Sequence, residues 1–113
     1  MNPIDLDYTM TALADQTRRA ILQRLSQGEA RVTDLARPFD ISLNAVSKHI
    51  RILERAHLVH RRRKGREHFL SVNAEPLDEA RRWIEGFRRM WEIKLGRLDD
   101  YLRDLHQKDK EHQ

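Results

Sequence analysis

The sequence contains no cysteine. Disulfides, thiolate nucleophiles and thiolate metal sites are excluded together, and the composition suits a reducing cytoplasm. Glycine and proline are scarce, at four and three residues. No phosphate-cradling glycine loop, long linker or low-complexity segment fits that supply. Long apolar runs are missing as well. Met1 to Tyr8 carries Asp5 and Asp7 and no apolar stretch, so neither a secretory leader nor a membrane span is expected there.

What is present is charge. Charged residues make up 35% of the 113 and hydrophobic residues 39%, with a formal net charge of +4. That length suits one domain. So charged a surface leaves a thin core per monomer, and some apolar area is expected to be buried between subunits. The basic balance favours a polyanionic partner, though only its distribution can say which. The expected organisation is one domain over 1–107 and a disordered tail over 108–113.

Periodicity predicts an all-helical start. Ile4 to Leu13 spaces Leu6, Met10 and Leu13 as a short first helix. Asp15 caps a second, with Ala20, Ile21, Leu22 and Leu25 inward and Gly28 as its stop. Thr33 is expected to cap a third helix from Asp34 to about Arg37, ended by Pro38. Asp40-Ile41-Ser42 reads as a turn with Ile41 tucked inward, and Ser42 caps a fourth helix to about Ala56. After His57 the period becomes extended. Leu58–Arg63 and Arg66–Val72 are predicted strands, joined at Lys64-Gly65.

Pro76 fits the first turn of a long last helix. Leu77, Ile84, Trp91, Leu98 and Leu105 recur every seventh residue. Ala80 and Phe87 add seam positions early, and Leu95 and Leu102 add them late, which is a coiled-coil-like stripe. The fold class is therefore mainly α with a small β-hairpin wing: a winged helix-turn-helix dimerising through its first and last helices. The dimer stripe is expected to use Leu6, Met10, Ile84, Phe87, Trp91, Leu95, Leu98 and Leu102.

The functional reading rests on the fourth helix and the hairpin. Val46, Ile50 and Leu53 hold the helix to the core, leaving Leu43, Asn44, Ser47, Lys48 and Arg51 outward. A helix of this shape fits the DNA major groove, where Asn reads adenine and Lys or Arg reads guanine or phosphate. An ordinary solvated face explains those residues equally well. The hairpin decides between them. Arg61, Arg62, Arg63, Lys64 and Arg66 crowd one small element. Such crowding repels itself in a bare protein, and a phosphate backbone turns the repulsion into attraction. Double-stranded DNA is the expected partner.

At this point the chain resembles the ArsR family of bacterial winged-helix repressors. The resemblance lies in ALADQTRRAILQRL (12–25), VTDLARPFDISLNAVSKHIRILERAHLV (32–59) and KGREHFLSV (64–72). It implies a homodimer that represses from an imperfect inverted repeat, with base contacts from Leu43, Asn44, Ser47 and Lys48. It also implies a backbone or minor-groove contact from Arg66. Many members sense metals. Their cysteine site has no counterpart in Val32 to Phe39, and the last helix has no histidine before His106. The chain is therefore similar to the non-metal branch, whose last helix carries tryptophan (here Trp83 and Trp91). His57 stands where the family usually has glycine, at a position that often needs a left-handed backbone.

Three rival readings fare worse. Histidine-based metal sensing through His49, His57, His60 and His68 lacks a carboxylate or cysteine to complete a tetrahedral set. An enzyme lacks convergent groups, since Ser47 and His49 point apart on one helix. A protein-interaction module has no use for so basic a hairpin. No cofactor is expected. The inducing signal is left with three sources: a small apolar ligand at the dimer interface, a partner protein, or concentration alone.

Overall fold

The computed structural model describes the backbone from Pro3 to Glu111 and the side chains from Asp5 onward. Its elements are α1 (Pro3–Leu13), α2 (Gln16–Leu25), β1 (Ala30–Arg31), α3 (Val32–Ala36), α4 (Leu43–Arg55), β2 (Val59–Lys64), β3 (Glu67–Val72) and α5 (Glu75–Glu111). The chain divides after Ala80 into two compact units.

In the first unit, local signals start each helix. Asp15 is extended (φ −115°, ψ 135°) and its carboxylate accepts from the Arg18 N–H at 3.1 Å, capping α2. Ser42 caps α4 in the same way, accepting from the Ala45 N–H at 3.1 Å. Beyond α2, Gly28 takes a φ of 133°, which suits a residue without Cβ. The end of α4 is closed by two bonds. The His57 N–H donates to Glu54 and the Leu58 N–H to Leu53, both at 3.0 Å. This cap needs a left-handed residue, and His57 supplies it at φ 57°.

Ile21, Leu35, Val46, Ile50, Leu53, Leu58 and Leu70 form the fully buried centre of the core. The stripe of α4 is the one its spacing predicted. Phe39, Val72 and Leu77 pack on the core's margin.

Several boundaries differ from the sequence reading, each for a physical reason. The sheet has three strands, ordered β1-β3-β2 and all antiparallel. Ala30 pairs with Leu70 and Arg31 with Phe69. That pairing keeps the backbone extended through Arg31, so α3 starts at Val32 and Thr33 lies inside it rather than capping it. Ala20 is half-buried, while Arg18 takes the inward place beside Ile21, Leu22 and Leu25. Ile41 is 42% exposed, not tucked in. Phe39 fills the place it was expected to take. The hairpin loop is Gly65-Arg66, because Lys64 pairs with Glu67. Gly65, at φ 63°, is the first loop residue, the position where a type II′ turn wants glycine.

The second unit consists of α5 from Arg81 onward. The whole helix has 37 residues, about 55 Å at 1.5 Å per residue. It runs through Lys108–Glu111, which the sequence reading had assigned to a disordered tail. No breaker stops it, and Lys108 and Lys110 suit the negative end of a helix. His112 and Gln113 lie outside the described residues. Along this unit Trp83 stacks on Phe87 (centroids 5.4 Å, planes 10° apart), and Phe87 meets Trp91 edge-on at 6.1 Å.

Candidate nucleic-acid interface

Two elements build the site. Ser42 starts α4, and the buried stripe Val46, Ile50, Leu53 fixes its rotation. The rotation leaves Leu43 (53% exposed), Asn44, Lys48 and Arg51 in solvent, with Ser47 half-buried between them. Lys48 and Arg51 have no ion-pair partner among the described residues.

The hairpin is less uniform than its sequence. Arg61 is held bidentately by Glu54 of α4, at 2.7 and 3.3 Å. Arg62 is held by Glu29 at 2.7 and 3.2 Å and lies 4.7 Å over the Phe69 ring, its cross-strand neighbour. These contacts hold the Glu29 carboxyl below its usual range, chiefly through the Arg62 hydrogen bond. Two of the five crowded cations are thus already answered by carboxylates. Cations left to repel one another are confined to the tip. There, Arg63 donates to the Gly65 carbonyl at 3.1 Å, and Lys64 and Arg66 have no ion-pair partner among the described residues.

Helix and hairpin meet in a cleft of about 330 Å³. Leu43 and Ser47 form one wall, Arg61, Arg66 and His68 the other, and Val32 and Thr33 of α3 the end. Arg31 braces this end through Asp34 at 3.0 Å and Glu67 at 3.1 Å. The His68 Nδ1 is buried here without a hydrogen-bond partner. The cleft therefore brings Leu43 and Ser47 of the predicted helix residues together with Arg61 and Arg66 of the hairpin, while Asn44, Lys48, Arg51 and Lys64 lie outside its lining. A helix face with Asn, Lys and Arg suits base edges, and unpaired cations on the flanking hairpin suit phosphates.

The candidate dimer residues fall in two groups. Leu6 and Met10 are half-buried on α1. Ile84, Phe87, Trp91, Leu95, Leu98 and Leu102 are each 45–57% exposed on α5. Among the described residues, no group of three or more His, Cys, Asp or Glu side chains could hold a metal ion. No helix among them is long and apolar enough to cross a membrane.

Sequence reasoning missed Arg18 and Asn73. Arg18 is only 9% exposed, although arginine is ordinarily a surface residue. The signal was its spacing, since 18, 21, 22 and 25 form one helical stripe. Asn73 donates to the His57 carbonyl at 2.8 Å and accepts from the Glu75 N–H at 3.4 Å, joining the end of α4 to the start of α5.

Residues 13–62 match the model of a helix-turn-helix domain family. The transcriptional repressor SdpR of Bacillus subtilis is 36% identical over 82 residues, covering 73% of this chain and 91% of that protein. The crystal structure of an ArsR family transcriptional regulator superposes with a TM-score of 0.78 at 38% identity, covering 81% of this chain and 95% of that one. A homodimeric winged helix-turn-helix DNA-binding domain of Mycobacterium bovis shares the fold, at 24% identity and a TM-score of 0.58, over 80% of this chain and 82% of that one. The exposed face of α4 beside a basic-tipped hairpin is thus set within a likeness that spans most of the sequence, and the chain belongs to the ArsR family of helix-turn-helix transcriptional regulators.

Proposed function

We propose that the protein is a homodimeric repressor that occupies an inverted-repeat operator in double-stranded DNA, in the cytoplasm and without catalysing a reaction. The observation that carries this reading is the outward face of α4. Asn44, Lys48 and Arg51 are exposed there, and the two cations have no carboxylate to answer them. Unpaired cations stand at the wing tip as well, where Arg66 lines the cleft with Leu43 and Ser47. Repression is the activity in the name of the Bacillus relative.

The pairing of two copies is supported by a symmetry in α5. Measured from Trp91, the exposed apolar stripe falls at four and seven residues in both directions. Phe87 and Ile84 lie on one side, and Leu95 and Leu98 on the other. A two-fold axis between antiparallel helices brings together residues equally far from it. An isologous interface therefore favours such a palindrome. Two recognition helices then read half-sites about one DNA turn, ~34 Å, apart.

The test is binding to a fragment from the gene's own upstream region across a salt series, with competitor DNA present. Tight, competitor-resistant binding with a steep salt slope and a two-fold footprint is expected. Binding that competitor abolishes overturns the operator reading.

A further inference from the structure

Arg18 is a buried cation that DNA binding has not yet explained. A buried guanidinium is costly unless its donors are satisfied, and here two elements, α1 and α4, satisfy it. Its Nε donates to the Ala12 carbonyl at 2.9 Å and its Nη2 to the Thr11 carbonyl at 2.8 Å. These are carbonyls of the last turn of α1, and that of Thr11 also accepts from the Ala14 N–H at 3.2 Å. Its backbone N–H completes the Asp15 cap of α2. Its Nη1 lies 3.1 Å from His49 Nδ1, on the recognition helix.

That last contact fixes a proton. A guanidinium stays charged and has no acceptor, so His49 Nδ1 must accept. The imidazole is therefore neutral, with its hydrogen on Nε2. The other charged group facing this ring is Asp15, the N-cap of α2, whose Oδ2 lies 3.7 Å from Nδ1. From α1, among the described residues, the cluster receives the two carbonyls that Arg18 engages. His49 itself is one residue from Lys48 and two from Ser47 and Arg51. A shift or rotation of α4 at His49 moves the DNA-facing side chains with it.

We propose that Arg18 is a positioning residue for DNA recognition: acting through the neutral Nε2–H form of His49, it sets the recognition helix against the ends of α1 and α2. The inference rests on the DNA-binding reading above and names a part of its machinery that touches no DNA.

Two substitutions at His49 test this without emptying the Arg18 site. Asn carries its side-chain oxygen the same number of bonds from Cβ as Nδ1, and Gln carries its oxygen where Nε2 stands. With the upstream DNA fragment as probe, well below the unfolding temperature, H49N is expected to bind within about twofold of wild type. H49Q is expected to lose about tenfold, comparable to losing one base contact. A long-range ¹H–¹⁵N spectrum of the free protein should show His49 as the Nε2–H tautomer. Equal binding by H49N and H49Q, losses that merely follow unfolding temperature, or an Nδ1–H tautomer overturns the inference alone. A wild type that binds only non-specifically overturns the DNA reading and this inference with it.

Discussion

The two units hold their apolar residues in opposite ways. Up to Ala80, Ile21, Leu35, Ile50, Leu53, Leu58 and Leu70 are fully buried. From Arg81 onward, Trp83, Ile84, Phe87, Trp91, Leu95, Leu98 and Leu102 are about half exposed. The first unit has its own core, so its stability belongs to one chain. The second displays a long apolar stripe, and such stripes mark interaction surfaces. Its burial then depends on protein concentration. The most damaging way to test this contrast is to put charge into the stripe. The double variant L98E/L102E should sediment as a monomer and lose operator affinity by at least ~100-fold, because one half-site must then bind alone. Circular dichroism should still show the winged-helix body folded. A variant that remains dimeric moves the interface off α5.

The opposite experiment damages the first unit. Leu53 is fully buried and supplies a carbonyl to the cap that closes α4. Truncating it to Ala removes packing that the surroundings cannot refill. Thermal or urea unfolding should show a loss of about 2–5 kcal/mol. The loss should persist at protein concentrations low enough to dissociate dimers. If it disappears on dilution, the body is not independently stable and the contrast fails.

Between these extremes lies the wing, where contact rather than composition decides. The sequence counts Arg61, Arg62, Arg63, Lys64 and Arg66 alike. The fold gives Arg61 to Glu54 and Arg62 to Glu29. Replacing Lys64 or Arg66 with Ala should each lower the slope of log affinity against log salt by about 1. Replacing Arg62 should leave the slope nearly unchanged. An equal drop for Arg62 means that Glu29 releases it when DNA binds.

These differences show what a sequence carries. The α4 stripe, the caps Asp15 and Ser42 and the left-handed His57 are written within a few adjacent residues, so period and capping chemistry disclose them. Partners 33 residues apart, such as Arg62 and Glu29, leave no periodic trace. Neither does β1, whose two residues are a strand only because β3 lies beside them. Ile41 was misjudged because a turn's facing is set by what else fills the core, and Phe39 fills it. Arg18 was legible by spacing and overlooked by residue type.

A smaller effect follows from Asp15. Its carboxyl titrates below its usual value of 3.8, first because it accepts the Arg18 N–H and then because the Arg18 guanidinium lies near. A depressed carboxylate stabilises the fold above its unfolded pKa and loses that contribution as pH falls through the folded value. D15A should cost about 1 kcal/mol at neutral pH by removing the cap. D15N keeps a capping oxygen without the charge, so it should be closer to wild type at pH 7. Below about pH 4 its stability should fall less steeply than the wild type's. Parallel acid limbs for D15N and wild type would show that the charge adds nothing to the cap.

The smallest predicted change is a gain, at His57. Its φ of 57° places an L side chain where Cβ crowds the backbone. The side chain is exposed, and the bonds that close α4 here are made by the backbone: the His57 N–H to Glu54, and Asn73 to the His57 carbonyl. Glycine preserves all of them and removes the strain. It also loosens the unfolded chain, which offsets part of the gain. The net effect of H57G should be a stabilisation of about 0.5 kcal/mol, or a rise of a few degrees in the unfolding temperature. The rise should belong to the first unit alone, appearing equally in the wild-type background and in monomeric L98E/L102E. A gain seen only in the dimer would mean that His57 opposes assembly rather than folding.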